Sequence, residues 1–110
     1  MINWIPLDSN FDLNDISNRS FERCQIIFKH STRCSISVMV KNRLERESAP
    51  TGADFYYLDL LQFREHSNQI AQLFKVHHES PQILLIKNGS CIYHESHHAI
   101  EMDEIAARIF

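Results

Sequence analysis

The sequence predicts an α/β domain in which a small mixed sheet of four strands carries helices on both faces. Three observations predict it. Helical and strand-like patterns alternate along the chain, with no internal repeat and no long Gly/Ser/Pro linker to divide it. The run Cys24–Phe28 (CQIIF) is compact and apolar, with β-branched and aromatic residues, as in a strand covered on both faces. Near the C-terminus Asn88-Gly89 separates two strand-like runs, and that dipeptide best tolerates the positive φ angles of a two-residue hairpin turn.

Each element has its own local reason. After an opening segment with Trp4, Ile5 and Leu7, the stretch DLNDISNRS places Leu13 and Ile16 on one face of a short helix. Cys24–Phe28 follows as the central strand. From Ser35 onward Ile36, Met39, Val40 and Leu44 recur at helical spacing, which sets a buried stripe and leaves Lys41, Arg43, Glu45 and Arg46 mostly on the wet side. Pro50-Thr51-Gly52 punctuates, and Ala53 to Leu60 (ADFYYLDL) has the aromatic content of a second strand. A helix opens near Ser67, with Ile70, Leu73 and Phe74 on one face, and ends near Val76. Gln82–Lys87 and Ser90–His94 are the hairpin strands. Asp103 to Phe110 places acids ahead of an apolar face, as a closing helix does.

A helical crossover makes the first two strands parallel, and the Asn-Gly turn makes the last pair antiparallel. This arrangement is the thioredoxin-like one, in a single domain over residues 1–110. It carries a specific expectation, a reactive thiol where the central strand passes into the next helix. Cys34 stands there, in FKHSTRCSIS at 28–37.

Bulk properties remove several function classes. With 44% hydrophobic and 23% charged residues among 110, the chain has the composition of a folded domain with one core. A net charge of -3 without a Lys/Arg cluster gives no footprint for nucleic acid. No apolar run approaches a membrane span, and MINWIPLDSN lacks a secretory pattern. Three cysteines at irregular spacing argue against a disulfide framework and suit a reducing compartment, so a cytoplasmic location is expected.

Thiolate, not thiol, attacks disulfides, and the unpaired N–H groups and positive dipole end of a helix N-terminus favour the anion. Cys34 precedes the second helix and is flanked by Ser, Thr and Arg, so it is expected to be polar, accessible and nucleophilic. Arg33 adds positive charge more directly than Lys29, and Thr32 or Ser31 is placed to cap the helix or to donate to sulfur. Ser37 occupies the position three residues on, where a dithiol site has its second cysteine. It shares the helix face and is expected to hydrogen-bond near the sulfur, but it cannot resolve a mixed disulfide. Cys24 and Cys91 lie in or beside apolar strands, where packing is the default. Pro81 precedes the QILLIK strand, and by fold analogy a cis Ser80-Pro81 bond faces the thiol.

The seven histidines raise a metal alternative. Cys91-x2-His94-x2-His97 is not a familiar ligand spacing, and on a regular strand Cys91 and His94 face opposite sides. No metal site is assigned. Neither paired carboxylates nor a Gly-rich phosphate loop is present.

With those residues on the page, the chain resembles the monothiol bacilliredoxin family, from Trp4 through the final hairpin. Two motifs carry the resemblance: FKHSTRCSIS, and Arg64-Glu65 with Ser67-Asn68-Gln69-Ile70-Ala71, continuing to Val76 and His78-Glu79-Ser80-Pro81-Gln82. The resemblance implies that Cys34 attacks protein–S–S–bacillithiol, takes the bacillithiol and frees the protein thiol. Arg33 and Ser37 would assist catalysis; Thr32, Ser35, Ser80 and Pro81 would bind substrate. No cofactor is expected to be bound; bacillithiol is the low-molecular-weight co-substrate, and S-bacillithiolated proteins are the partners. One position departs from the pattern: the family usually has proline after the cysteine, and here Ser35 stands there. The alternative is a thioredoxin-like module that holds a partner across the Ser80-Pro81 groove without catalysis, and a further one is a metal-binding protein.

Overall fold

The computed structural model describes residues 2–110. Its elements are β1 (Ile5–Pro6), α1 (Leu13–Arg19), β2 (Cys24–His30), α2 (Ser35–Arg46), β3 (Ala53–Asp59), α3 (Arg64–Phe74), β4 (Gln82–Lys87), β5 (Ser90–Ser96), a 3-10 turn (His97–Ala99) and α4 (Met102–Ala106). The strands lie in the order β1-β3-β2-β4-β5. β1, β3 and β2 run parallel; β4 and β5 are antiparallel to their neighbours. The sheet thus has five strands rather than four, the addition being Ile5–Pro6 beside Tyr56 and Tyr57. Two residues display no alternation to read, and a proline without an N–H is accommodated because β1 is an edge.

All seven residues of β2 are buried, as its unbroken apolar character predicts. Its side chains alternate between two cores. Ile26 and Phe28, with Ile83 and Leu85 of β4, pack against Val40 and Leu44 of α2 and Met102 and Ile105 of α4. Ile27, with Leu84 and Ile86, packs against Leu13 and Ile16 of α1 and Ile70 and Phe74 of α3. Trp4 closes the first core by stacking on Phe28 at 5.6 Å, while its Nε1–H donates to Glu45 at 2.8 Å.

Two helices are rotated from the expected stripes. In α2 the buried residues are Ser37, Val40 and Leu44. Ile36 and Met39 are 36% and 42% exposed. In α3 Ser67 joins Ile70 and Phe74 inside, whereas Leu73 is exposed. A stripe drawn by apolarity alone places every large side chain inward. Here a hydrogen-bonded serine takes the inward position in each helix, because a satisfied hydroxyl removes most of the cost of burial.

The hairpin forms as its turn chemistry predicts, with Asn88 at φ 53° and Gly89 at φ 80°. It also docks on the end of α1: Asn88 N–H donates to the Ser20 carbonyl at 3.0 Å and Gly89 N–H to Ser20 Oγ at 2.8 Å. A Cβ at Gly89 would lie 3.0 Å from Phe21 Cζ in a backbone conformation that L-residues avoid. Gly89→Ala is therefore expected to cost about 1 kcal/mol, read as a lower urea midpoint at unchanged slope. An unchanged midpoint would contradict this role.

β5 contains one irregularity. Ile86 pairs with Cys91 but Leu85 pairs with Tyr93, so Ile92 is an extra residue in the strand. The bulge puts Cys91 and His94 on the same face, beside Ile86 and Leu84, where a regular strand would separate them. Among the described residues no three His, Cys, Asp or Glu side chains are grouped to hold a metal. No helix among them is long and apolar enough to cross a membrane.

Candidate active site

β2 ends at His30, the chain turns through Ser31-Thr32-Arg33, and Cys34 becomes the N-cap of α2 with extended backbone at φ -101° and ψ 118°. The turn closes with Cys34 N–H donating to the Ser31 carbonyl at 3.2 Å. The helix starts from the thiol residue itself, since Val38 N–H donates to the Cys34 carbonyl at 3.0 Å. No side chain caps α2. The expectation that Thr32 or Ser31 would do so is not met; Thr32 is exposed and Ser31 contributes through its backbone. The first N–H groups of α2 are left without side-chain acceptors on the side where Cys34 stands.

Cys34 is half-buried and opens onto a groove of about 480 Å³. Thr32, Arg33 and Ser35 share its near end. Val38, Met39, Asn42 and Arg46 continue it along α2. Ser35 is the first residue of α2, a position that suits proline because its N–H has no intrahelical partner. Serine there adds one more unpaired donor beside the sulfur.

Ser37 is fully buried, and its Oγ is occupied elsewhere: it accepts from Ser31 N–H at 3.0 Å and pairs with His30 Nδ1 at 2.7 Å. Among the described residues no hydrogen bond joins it to the thiol. Its position three residues into the helix is as expected, but its hydroxyl holds the β2–α2 turn rather than pointing at sulfur. His30 is the partner, and no local sequence signal marks it for this role. Burial, then Lys41, push the His30 imidazole down in pKa, so the ring is neutral at pH 7.

Lys29 turns away from the thiol to the opposite face of the sheet. It is fully buried, and its ammonium donates to the Ser67 carbonyl at 3.3 Å and to His78 Nδ1 at 3.2 Å. Ser67 Oγ also meets His78 Nδ1, at 3.1 Å. Burial pulls the lysine down to about 8, and burial followed by Lys29 itself lowers His78. These bonds tie β2 to the segment before Ser80-Pro81. Gln82 fixes the same segment from below, donating to the His77 carbonyl at 3.0 Å and accepting from Glu79 N–H at 3.4 Å.

The Ser80-Pro81 bond is cis, as the fold analogy predicts. Pro81 is buried one residue beyond the Lys29–Gln82 pair, at the end of the sheet from which β2 leads to Cys34. Ser80 Oγ is buried without a hydrogen-bond partner.

The other two cysteines occupy the far end. Cys24 is the first residue of β2, and Cys91 pairs with Ile86, which in turn pairs with Gln25. At about 3.3 Å per residue, five or six residues of β2 separate both from the His30 end by roughly 15–20 Å, far beyond the Cα spacing of a disulfide. Burial raises the Cys24 thiol to about 11 and raises Cys91 as well. All three cysteines are free. Cys34 is the one at the β2–α2 junction, and the pairing it lacks there is not supplied from within the fold.

Similar folds are found among solved proteins. One described as a proposed oxidoreductase with a thioredoxin fold matches at 29% identity over 94% of this chain and 90% of that one, with a TM-score of 0.76. Thioredoxin from Malassezia sympodialis matches at 19% identity over 99% and 90% of the two chains, TM-score 0.70. A thioredoxin variant from Halobacterium salinarum matches at 14% identity over 96% and 86%, TM-score 0.67. These last two show the fold alone, which is that of thioredoxin. The family model for monothiol bacilliredoxin BrxC matches residues 5–105, spanning the β2–α2 junction, the Ser80-Pro81 segment and the hairpin. The chain belongs to the monothiol bacilliredoxin family.

Proposed function

We propose that this protein is a monothiol thiol–disulfide exchange enzyme that removes bacillithiol from protein mixed disulfides through Cys34. The observation that carries the reading is the placement of one half-buried thiol at the N-cap of α2, open to a groove and out of reach of both other cysteines.

Cys34 Sγ, as thiolate, attacks the bacillithiol sulfur of protein–S–S–bacillithiol. The bond between the two original sulfurs breaks, the protein sulfur leaves with its electron pair and takes a proton from solvent, and Cys34–S–S–bacillithiol remains. A second low-molecular-weight thiol then attacks the bacillithiol sulfur of that adduct, and Cys34 leaves as thiolate. The N–H groups at the start of α2 stabilise the anion at both ends of this cycle. Arg33 adds charge at the rim, Ser37 holds the turn through His30 and Ser31, and the protein half of the substrate lies along Ser80-Pro81. S-bacillithiolated proteins in a reducing, cytoplasmic setting are the partners this chemistry requires.

The test is intact-mass measurement after incubation with oxidised bacillithiol. The expected result is one bacillithiol adduct per chain, mapped to Cys34 and absent in Cys34→Ser. An unmodified wild-type chain would overturn the reading, as would an adduct that persists in the variant.

A further inference from the structure

The groove that begins at Cys34 has a chemical character of its own. Ser35, Val38, Met39, Asn42 and Arg46 follow one another at helical spacing, so they form a continuous stripe on the exposed face of α2. Val38 and Met39 give it an apolar floor, 38% and 42% exposed. Arg33 stands at the thiol end and Arg46 at the far end. Among the described residues neither arginine forms an ion pair; Arg19, Arg23, Lys41 and Arg108 each find a carboxylate, and of the cations that do not, these two share one groove. In a chain of net charge -3, this leaves two free guanidinium groups along one groove.

Size and reach narrow the occupant. A volume of about 480 Å³ has room for a molecule of a few hundred daltons. Arg46 lies twelve residues from Cys34, about 18 Å along the helix axis, and helical side chains lean back toward the N-terminus, which shortens the span. Guanidinium groups recognise carboxylates with paired N–H donors.

We propose that this groove binds the low-molecular-weight half of the mixed disulfide, a thiol bearing carboxylates that Arg46 and Arg33 hold while its apolar atoms rest on Val38 and Met39. The assignment rests on Cys34 being the exchange nucleophile. It makes α2 the small-thiol side of the site and leaves the Ser80-Pro81 side to the protein. It also directs the attack, because the sulfur presented to Cys34 is that of the held small thiol, and the protein sulfur is the one that leaves.

The experiment compares the second-order rate of Cys34 adduct formation with two symmetrical disulfides, oxidised bacillithiol, which carries carboxylates, and neutral 2-hydroxyethyl disulfide. The readout is the ratio of the two rates in each protein. Arg46→Gln is expected to lower the ratio about fivefold, Arg46→Glu further, and Arg46→Lys to restore part of it. High salt should lower the wild-type ratio toward that of Arg46→Gln. Arg108→Gln, outside the groove lining and paired with Glu104, should leave the ratio at its wild-type value. A ratio insensitive to Arg46 and to salt overturns the groove assignment while the nucleophile stands. Absence of adduct with either disulfide overturns both. A third arm uses an acidic peptide joined by a mixed disulfide to 2-mercaptoethanol; if Arg46→Gln slows that exchange and not the bacillithiol reaction, the groove holds the protein half and the proposal fails.

Discussion

Ser37→Cys is expected to convert Cys34 from a site that keeps its adduct into one that clears it. Ser37 lies in the first turn of α2, three residues from Cys34, with its side chain fully buried beside the junction, and a thiol there, without the bonds the hydroxyl makes to His30 and Ser31, is free to turn toward the sulfur. A thiol there attacks the mixed disulfide on Cys34 intramolecularly, at an effective concentration no added thiol matches. Wild type should hold the bacillithiol adduct until a second thiol is supplied. The variant should lose it unaided, about tenfold faster or more, and end at the mass of an intramolecular disulfide, two hydrogens below the reduced chain. A stability cost of about 1–2 kcal/mol accompanies the change, because His30 Nδ1 and Ser31 N–H lose a good hydroxyl partner. An adduct as long-lived as in wild type would show that the turn does not present position 37 to the sulfur.

The second large effect concerns Lys29. Its ammonium is buried with a carbonyl and an imidazole for company and no carboxylate among its hydrogen-bond partners. The folded value of about 8 lies below the ordinary 10.5, so the unfolded chain binds the proton more tightly. The sign follows directly: the charged lysine costs stability in full below about pH 8, and the cost disappears as pH rises through the unfolded value. A shift of this size corresponds to at most about 3 kcal/mol.

Lys29→Met keeps the volume and removes the charge, so it is expected to stabilise the fold by about 1–3 kcal/mol at pH 7. The advantage should shrink toward zero by pH 10.5. Comparing the two proteins at each pH matters because Cys24 acts in the opposite direction. Its thiol, raised to about 11, stays protonated in the fold while the unfolded chain has already ionised, which lowers stability with rising pH in both proteins. Urea melts between pH 6.5 and 10.5 give the difference. A stability gap of constant size across that range would contradict the buried-charge account. The link from Lys29 through His78 to the Ser80-Pro81 segment also predicts that the variant binds protein substrates less well while its reaction with small disulfides changes less.

What was legible in the sequence was what local signals carry. Cys24–Phe28 announced a central strand through unbroken apolarity, Asn88-Gly89 announced the hairpin through its backbone preference, and the strand-to-helix position singled out Cys34. The flanking Pro81 fell into place once the hairpin was located.

The rest depended on partners distant in the chain. Ser37, Ser67, His30 and Lys29 are polar residues inside the fold, and each is tolerated there because of a specific hydrogen bond. Lys29 meets residues 38 and 49 positions away, which no periodicity encodes. Counting apolar residues therefore places Met39 inward, which hides the groove whose floor Met39 shares with Val38. The β5 bulge escaped for a similar reason: one inserted residue, Ile92, looks like any other strand residue until its neighbours on β4 are known.

The account depends most on Cys34 receiving the small thiol from a protein, and a transfer measurement tests that directly. A purified protein carrying one bacillithiol mixed disulfide is mixed with the reduced enzyme, and both chains are weighed over time by mass spectrometry. The account predicts that bacillithiol leaves the substrate and appears on Cys34 in equal amounts, with no covalent complex of the two proteins accumulating. Bacillithiol remaining on the substrate, or a stable link between Cys34 and the substrate protein's own sulfur, would contradict it.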